Sequence, residues 1–350
     1  MQAPYKIVII GASSLLGKEL NEALAESNYS HSNFVLADEE EKTGQFESVG
    51  DELALVQRID PSLFARADFV FFTGAAESSI QHMKTAQQAG ASILDLTGAT
   101  ESQAGVLLRA PWLEESGSAH TESPSLTTPA VVSPNPAAIG LALLMQRIEQ
   151  LGKIRAASAT VLAPASEYGR AAMDELHQQT ISLLNFQSLP RSAYDTQVAF
   201  NAVPVFGEAA RFSLGADEAR LRRHYRKLCG ADSPLLIQMI HAPVFHGYGI
   251  SLAFELEDAV EIDPVVASLE GEHVDVILED ADAPTNLSSA GQSEIMVRVR
   301  RAEDDPTGSK DAASRHFWIW ATLDNLKIAS LNAIACAQEL ERLRPRGKVQ

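Results

Sequence analysis

The first seventeen residues hold a strand, a glycine-bounded loop and the start of a helix, and few folds accept that order. Residues 5–10 (YKIVII) are β-branched or apolar at nearly every position, as in a strand buried on both faces of a parallel sheet. GASSLLG follows at 11–17, and Leu16, Leu20 and Leu24 then recur at helical spacing. This is the context a dinucleotide-binding fold requires. Gly11 allows the tight turn, Gly17 lets the helix pack closely on the strand, and the helix N-terminus offers N–H groups to a pyrophosphate. The middle glycine position of the motif holds Ser14, whose Cβ narrows the approach of phosphates and whose hydroxyl would donate to them. Ser13, Leu15 and Leu16 complete the candidate phosphate loop. The same residues also read as a βα turn that binds nothing.

The alternation continues. NFVLAD (33–38) and ADFVFFTG (67–74) read as strands, 77–88 as a helix stopped by Gly90, and ASILDL (91–96) as the next strand. The first part is therefore a doubly wound α/β unit. From Thr97 to Pro136 the pattern loosens, and the Ser/Thr/Glu-rich stretch 114–128 reads as a surface excursion. A second pattern starts near Asn135. Residues 137–151 and 167–185 read as helices, and 154–163, 235–245, 249–256, 273–278, 293–300 and 315–321 as strands. Turns rather than long helices separate most of these strands, so a mixed or antiparallel sheet is expected. LRRHYRK before Cys229 reads as helical. The amphipathic segment 324–343 would pack back on the first domain. The expected division is 1–132 with 323–350, and 133–322.

Asp38 ends the second strand, 21 positions after Gly17. An acid there binds the ribose 2′-hydroxyl of NAD and repels the 2′-phosphate of NADP. Residues 38–41 are Asp-Glu-Glu-Glu, which opposes NADP further, or else forms a solvated acidic turn. NAD is thus the favoured cofactor and NADP the disfavoured one; loss of all cofactor binding is the alternative.

Of 350 residues, 45% are apolar and 21% charged, an ordinary globular composition. Lys plus Arg is 28 against 46 Asp plus Glu, a net charge of −18, which argues against nucleic acid and anionic membranes as partners. No leader pattern or membrane span is evident, so a cytoplasmic location is expected. Cys229 and Cys336 are too few for a disulfide framework and read as packed thiols. His224, His241 and His246 do not have a recognised zinc spacing, and no metal is expected.

GASSLLG at 11–17, ADFVFFTGA at 67–75, SPNP at 133–136, SEYGRAAMDEL at 166–176, FNAVP at 200–204, HAPVFHGYG at 241–249 and DNLKIAS at 324–330 occur in a telling order. In these stretches the chain resembles the aspartate-semialdehyde dehydrogenases over nearly its whole length. The resemblance implies a Rossmann-like dinucleotide-binding domain completed by the C-terminal helix. It also implies an α+β dimerisation and catalytic-type domain with a mixed sheet. It places Thr73, Gly74 and Ala75 beside the nicotinamide, with Ser166, Gly169 and Asn325.

Chemistry in that family needs a cysteine whose thiolate attacks the aldehyde before hydride leaves. The resemblance sets Asn135, the residue before the nucleophile, in its family place, but the nucleophile position holds Pro136. Proline suits the first turn of a helix without any chemistry. The general acid/base position holds Tyr248, the substrate-carboxylate arginine becomes His241, a glutamine becomes Ala163, and the phosphate arginine aligns with Glu101. Five replacements in a retained frame are similar to the pattern of the Usg proteins, relatives of these dehydrogenases. They imply no phosphate-dependent semialdehyde oxidation, and a nucleotide-binding or interaction homodimer. A heteromer with a catalytic paralogue is a further partnership this suggests. The alternative is an NAD-preferring oxidoreductase of non-covalent mechanism, acting on an aldehyde or oxo group with Tyr248 as acid.

Overall fold

Strand β1 (Lys6–Ile10) carries an unbroken apolar run because both its faces are covered. Ile7 and Ile9 enter one hydrophobic core, Val8 and Ile10 the other, as the period of two demands. The computed structural model describes residues 4–39, 43–50, 52–115, 121–279, 282–302 and 312–343. They divide into two units: those up to Pro134 with those from Ala329 onward, and Asn135–Ile328.

In the first unit β1 leads into α1 (Leu15–Ala25), β2 (Asn33–Asp38), the strands β3 (Phe46–Val49), β4 (Glu52–Leu55) and β5 (Gln57–Arg58), and β6 (Phe69–Phe72). Then come α2 (Ala76–Gln88), β7 (Ser92–Asp95), β8 (Leu107–Leu108), the short α3 (Trp112–Glu115) and β9 (Val131–Val132). Seven strands form one sheet in the order β5-β2-β1-β6-β7-β9-β8, parallel at every pairing. Leu20, Ala23 and Leu24 of α1 cover one face, and Met83 and Ala86 of α2 the other. The α/β class is as the alternation implied. The hairpin β3–β4 and the two-residue strand β9 were not read from sequence; such short runs carry little periodic signal. Within the stretch 114–128, Glu114 and Glu115 close a helical turn, and residues 116–120 lie outside the described residues.

In the second unit α4 (Pro136–Glu149) precedes β10 (Ile154–Ala163), α5 (Arg170–Leu184), α6 (Leu214–Cys229), β11 (Leu235–His241) and β12 (Tyr248–Val260). There follow α7 (Ile262–Leu269), β13 (Val274–Val276), β14 (Ile295–Arg301), β15 (Ser314–Leu323) and α8 (Asn325–Leu343). Six strands form a mixed sheet, β11-β10-β12-β15-β14-β13, parallel only at the β10–β11 and β13–β14 pairings. The helix read over 167–185 is two elements. A 3-10 turn, Ala165–Tyr168, ends at Gly169, whose φ of 79° and ψ of −168° break helical geometry before α5 begins. The strand read to 245 stops at His241, ahead of Pro243, which has no N–H to give a ladder.

The edge strand β11 is protected by its own helix. Glu218 of α6 accepts the Met239 N–H at 2.7 Å, and Arg222 donates to the Ile237 carbonyl at 2.7 and 2.8 Å. The long loop after α5 is held in the same way. Glu175 accepts the N–H groups of Ala193 and Tyr194, and Gln179 those of Val198 and Ala199.

Helix α8 spans the unit boundary, which falls before Ala329 rather than at 323. Its later residues Ala333, Ile334, Cys336, Ala337 and Leu340 complete the first unit's core beside Ile7, Ile9 and Phe71. A buried ion pair fastens it there. Arg109, fully buried, donates from Nε to Glu339 Oε2 at 2.8 Å, and Asn332 Nδ2 donates to the Arg109 carbonyl at 3.1 Å. Replacing Arg109 by Met would leave Glu339 without its charge partner. We expect the Arg109→Met variant to lose about 3 kcal/mol in urea unfolding, whereas a loss below about 1 kcal/mol would make the pair dispensable.

Candidate functional site

The two groups of candidate residues lie one in each unit. In the first, Gly11 sits at φ 84° and meets Gly74 at backbone contact. A Cβ on Gly11 would lie 2.3 Å from the Gly74 Cα, and one on Gly17 would lie 2.3 Å from the Gly11 carbonyl oxygen. All three positions therefore exclude a side chain, and backbone packs directly on backbone at the turn where a dinucleotide fold would bring a phosphate. Ser14 is the N-cap of α1. Its hydroxyl accepts the Gly17 N–H at 2.9 Å and donates to the Thr73 carbonyl at 3.0 Å. This corrects the expectation that Ser14 aims its proton at a pyrophosphate: the cap and the neighbouring loop already use the hydroxyl. The first intrahelical bond runs from Lys18 N–H to the Ser14 carbonyl, so the Leu15 and Leu16 N–H groups precede the ladder and have no acceptor within it. These groups fit an anion at the helix N-terminus.

Asp38 is buried at the end of β2, where Oδ2 accepts the Ser13 N–H at 3.1 Å and Oδ1 the Glu39 N–H at 2.9 Å. The carboxylate is thereby fixed against the phosphate loop. Glu40 and Glu41 of the acidic run lie outside the described residues. Thr73 Oγ1 donates to the Ile10 and Gly11 carbonyls, and Ala75 is the N-cap residue of α2. Glu101 belongs to this unit, in the turn after Thr100, whereas Pro136, Ala163, His241 and Tyr248 belong to the second unit.

The second group is built on α4. Residues Pro136–Ile148 of this helix are all buried, so its first N–H groups have no water to meet. Asn135 resolves this. Its Oδ1 accepts the Ala137 and Ala138 N–H groups at 2.9 and 3.4 Å, and Pro136 at the first helical position needs no acceptor. The Asn135 backbone N–H donates to His224 Nδ1 at 2.9 Å, which fixes that imidazole as an acceptor there. Its Nδ2 donates to Glu167 Oε1 at 3.2 Å and to the Tyr248 hydroxyl at 3.3 Å.

Glu167 was not singled out from sequence. It stands in the turn before Gly169, and only the fold brings it to Asn135 and to Arg220, whose Nη2 lies 3.4 Å from Oε1. Arg220 also reaches Asp217, one turn back, at 3.5 Å. Burial is the main cause raising the Glu167 carboxyl above the usual range, partly opposed by Arg220 and by hydrogen bonds from Tyr248 and Asn325. Tyr248 is fully buried. Burial first, then the neighbouring Glu167 charge, holds its phenol well above the ordinary value of 10. Asn325 Oδ1 accepts from Ser166 Oγ at 2.9 Å and from the Gly247 N–H at 3.4 Å.

His241 takes no part in this network. It is buried in an aromatic group, with ring centroids 5.0 Å from Tyr194, 5.3 Å from Phe206 and 5.8 Å from Tyr168. Ala163, its partner across β10–β11, is equally buried and offers only a methyl group. Burial is the leading cause that lowers the His241 pKa to about 4. Cys229 is not an activated thiol, since burial pushes it up to about 12, and Cys336 is raised further within the first unit. His224, bonded to Asn135, and His241, among aromatics, serve separate ends. Among the described residues no group of three His, Cys, Asp or Glu side chains is placed to hold a metal ion.

A glycine-bounded phosphate loop in one unit and a mixed-sheet unit with a buried polar cluster define a two-domain nucleotide-dependent dehydrogenase build. Residues 6–122 match the NAD binding domain of semialdehyde dehydrogenases and residues 145–327 their dimerisation domain; the chain belongs to that family. It is 28% identical over 344 residues to a USG-1 protein homolog of Pseudomonas aeruginosa, covering 97% of this chain and 98% of that one. It is 26% identical over 351 residues to an aspartate-semialdehyde dehydrogenase of Rickettsia bellii, with 97% and 98% covered. A solved structure of a probable aspartate-semialdehyde dehydrogenase from Pseudomonas aeruginosa matches with a TM-score of 0.82 at 26% identity, covering 97% of this chain and 98% of the other. No helix among the described residues is long and apolar enough to cross a membrane.

The lowered His241 value has a consequence for stability. The unfolded chain binds a proton at this residue near pH 6.5 and the folded chain only near pH 4, so its contribution is full above pH 6.5 and is lost as pH falls to about 4. Between pH 7 and 5 this amounts to about 2 kcal/mol. A His241→Phe variant should lack that loss, which urea unfolding of both proteins at the two pH values would measure; parallel losses would contradict it.

Proposed function

We propose that this protein is a nucleotide-binding homodimer of the semialdehyde dehydrogenase family that does not carry out phosphate-dependent oxidation of aspartate semialdehyde. The reading rests on Pro136. The resemblance sets it at the nucleophile's position, and it is a buried N1 residue of α4 with no nucleophilic atom. The tyrosine-acid alternative is weaker. Tyr248 is itself fully buried and its hydroxyl faces Glu167; burial first, then that carboxylate, holds the phenol well above its ordinary range, so it is neither exposed to solvent nor acidic enough for proton donation.

An acid at Asp38, whose carboxylate accepts the Ser13 N–H of the phosphate loop, supports NAD over NADP. The cofactor-contact assignment is kept to the first unit: Gly11, Ser13, Leu15, Leu16, Gly17, Asp38, Thr73, Gly74 and Ala75, with Ser14 as the cap that shapes them. Bound nicotinamide would supply a hydride acceptor, while these residues do no more than position the dinucleotide.

The open face of the mixed sheet supports the homodimer. In register across β11, β10, β12, β15 and β14 stand Leu236, Ser158, Ala253, Trp318 and Arg300, with Leu236 75% and Trp318 39% exposed. The next row, Ile237, Ala159, Leu252, Ile319 and Val299, is buried on the opposite face. A row bearing exposed tryptophan and leucine is what a second copy would cover.

Titration calorimetry with NAD and NADP tests the nucleotide reading. We expect NAD to bind at least about tenfold more tightly than NADP, and Asp38→Asn to shrink the difference. Binding of neither nucleotide would defeat it. Robust NAD or NADP reduction with aspartate semialdehyde and phosphate would defeat the non-catalytic reading.

A further inference from the structure

Four donors from four separate segments converge on one side chain in the second unit. Asn135 Nδ2, at the start of α4, donates to Glu167 Oε1 at 3.2 Å. Arg220 Nη2, on α6, lies 3.4 Å from the same oxygen. The Tyr248 hydroxyl, at the start of β12, and the Asn325 amide, at the start of α8, also hydrogen-bond the carboxylate.

Three of these donors, Asn135, Asn325 and Tyr248, are fixed before Glu167 is considered. The Asn135 side chain is oriented by its cap bonds to Ala137 and Ala138, and its backbone N–H by His224. Asn325 is oriented by Ser166 and Gly247, which leaves its amide to donate. Tyr248 is set by its place in β12, opposite Leu323 of β15 in register, and its side chain is fully buried. Two amides, a phenol and a guanidinium form a cradle for a planar oxyanion.

The chain delivers the carboxylate on a rigid arm. The Ala165 N–H donates to the Val244 carbonyl and the Ser166 N–H to that of Phe245, both at 2.9 Å. On the other side Tyr168 is packed among Phe212, Phe206 and Tyr194, at ring-centroid distances of 5.1, 5.3 and 6.3 Å. Glu167 thus sits between two anchored neighbours, with only 10% of its side chain exposed.

We propose that Glu167 is a tethered ligand: its carboxylate occupies, from within the chain, a site built for a small planar carboxylate, and removing it turns the cluster into a binding site for a free one. The native pocket is then closed to free anions because the tethered group has an effective concentration that millimolar solutes do not match. Any ligand that uses this cluster must displace Glu167.

The test uses Glu167→Ala, melted in sodium acetate and in sodium chloride at equal ionic strength. Acetate should raise the melting temperature of the variant above its value in chloride and leave the parent protein unmoved. Calorimetry should then give acetate a dissociation constant for Glu167→Ala at least about tenfold below that for the parent. Adding Arg220→Met to the variant should abolish the acetate response. A parent protein that binds acetate as well as the variant overturns the proposal, and so does a folded variant that ignores acetate. If Glu167→Ala folds in neither salt, Glu167→Gln decides. It keeps the volume but turns an N–H group toward donors, so its melting temperature should fall; an equal or higher value overturns the proposal.

Discussion

Helix α4 is buried from Pro136 to Ile148, and a helix in that position must satisfy its N-terminal N–H groups without water. Asn135 does this, and nearly everything else in the second unit's polar cluster follows from it. Its carbonyl oxygen caps the helix, its amide reaches Glu167 and Tyr248, and its backbone N–H takes up His224. One residue therefore joins α4, α6, β12 and the turn before α5. The cluster sits at the buried start of α4 and is densely hydrogen-bonded. In such a medium each donor must find an acceptor, which is why a carboxylate is tolerated there at all.

The same physics separates the unit's two titratable centres. Glu167 is buried but has a cation and three neutral donors, and stays bonded. His241 is buried among rings and has no carboxylate facing it, so it is driven toward the neutral form. The surroundings of His241 are aromatic packing. In the first unit Gly11, Gly17 and Gly74 leave room only for backbone, and Asp38 accepts the Ser13 N–H of the loop.

Much of the fold was legible in the sequence. The runs KIVII and FVFF announced strands buried on both faces, since alternate residues serve two cores. Pro136 announced a helix start, while the cap role of Asn135 came only with the structure. What escaped were elements with too few residues to show a period, such as β9, and a helix reading that ran through Gly169 because its neighbours are good helix formers. The site was legible only in part. Asn135 and Tyr248 were found through the family resemblance. Glu167, Asp217 and Arg220 carry no local signal; an acid in SEYG and a base in ADEAR look like solvated surface until the chain is folded.

The sequence by itself determined the class of each domain, because the periods of strand and helix are local properties of adjacent residues. It also determined that position 136 holds no nucleophile, since composition at one position needs no fold. Only the tertiary structure decided that Ser14 caps its helix rather than facing a phosphate, and that His241 is a core residue. It alone brought Glu167 to donors 32, 53 and 81 positions away in the chain, at Asn135, Arg220 and Tyr248. Hydrogen bonding acts over about 3 Å regardless of sequence separation, so which groups meet is set by how sheets and helices pack.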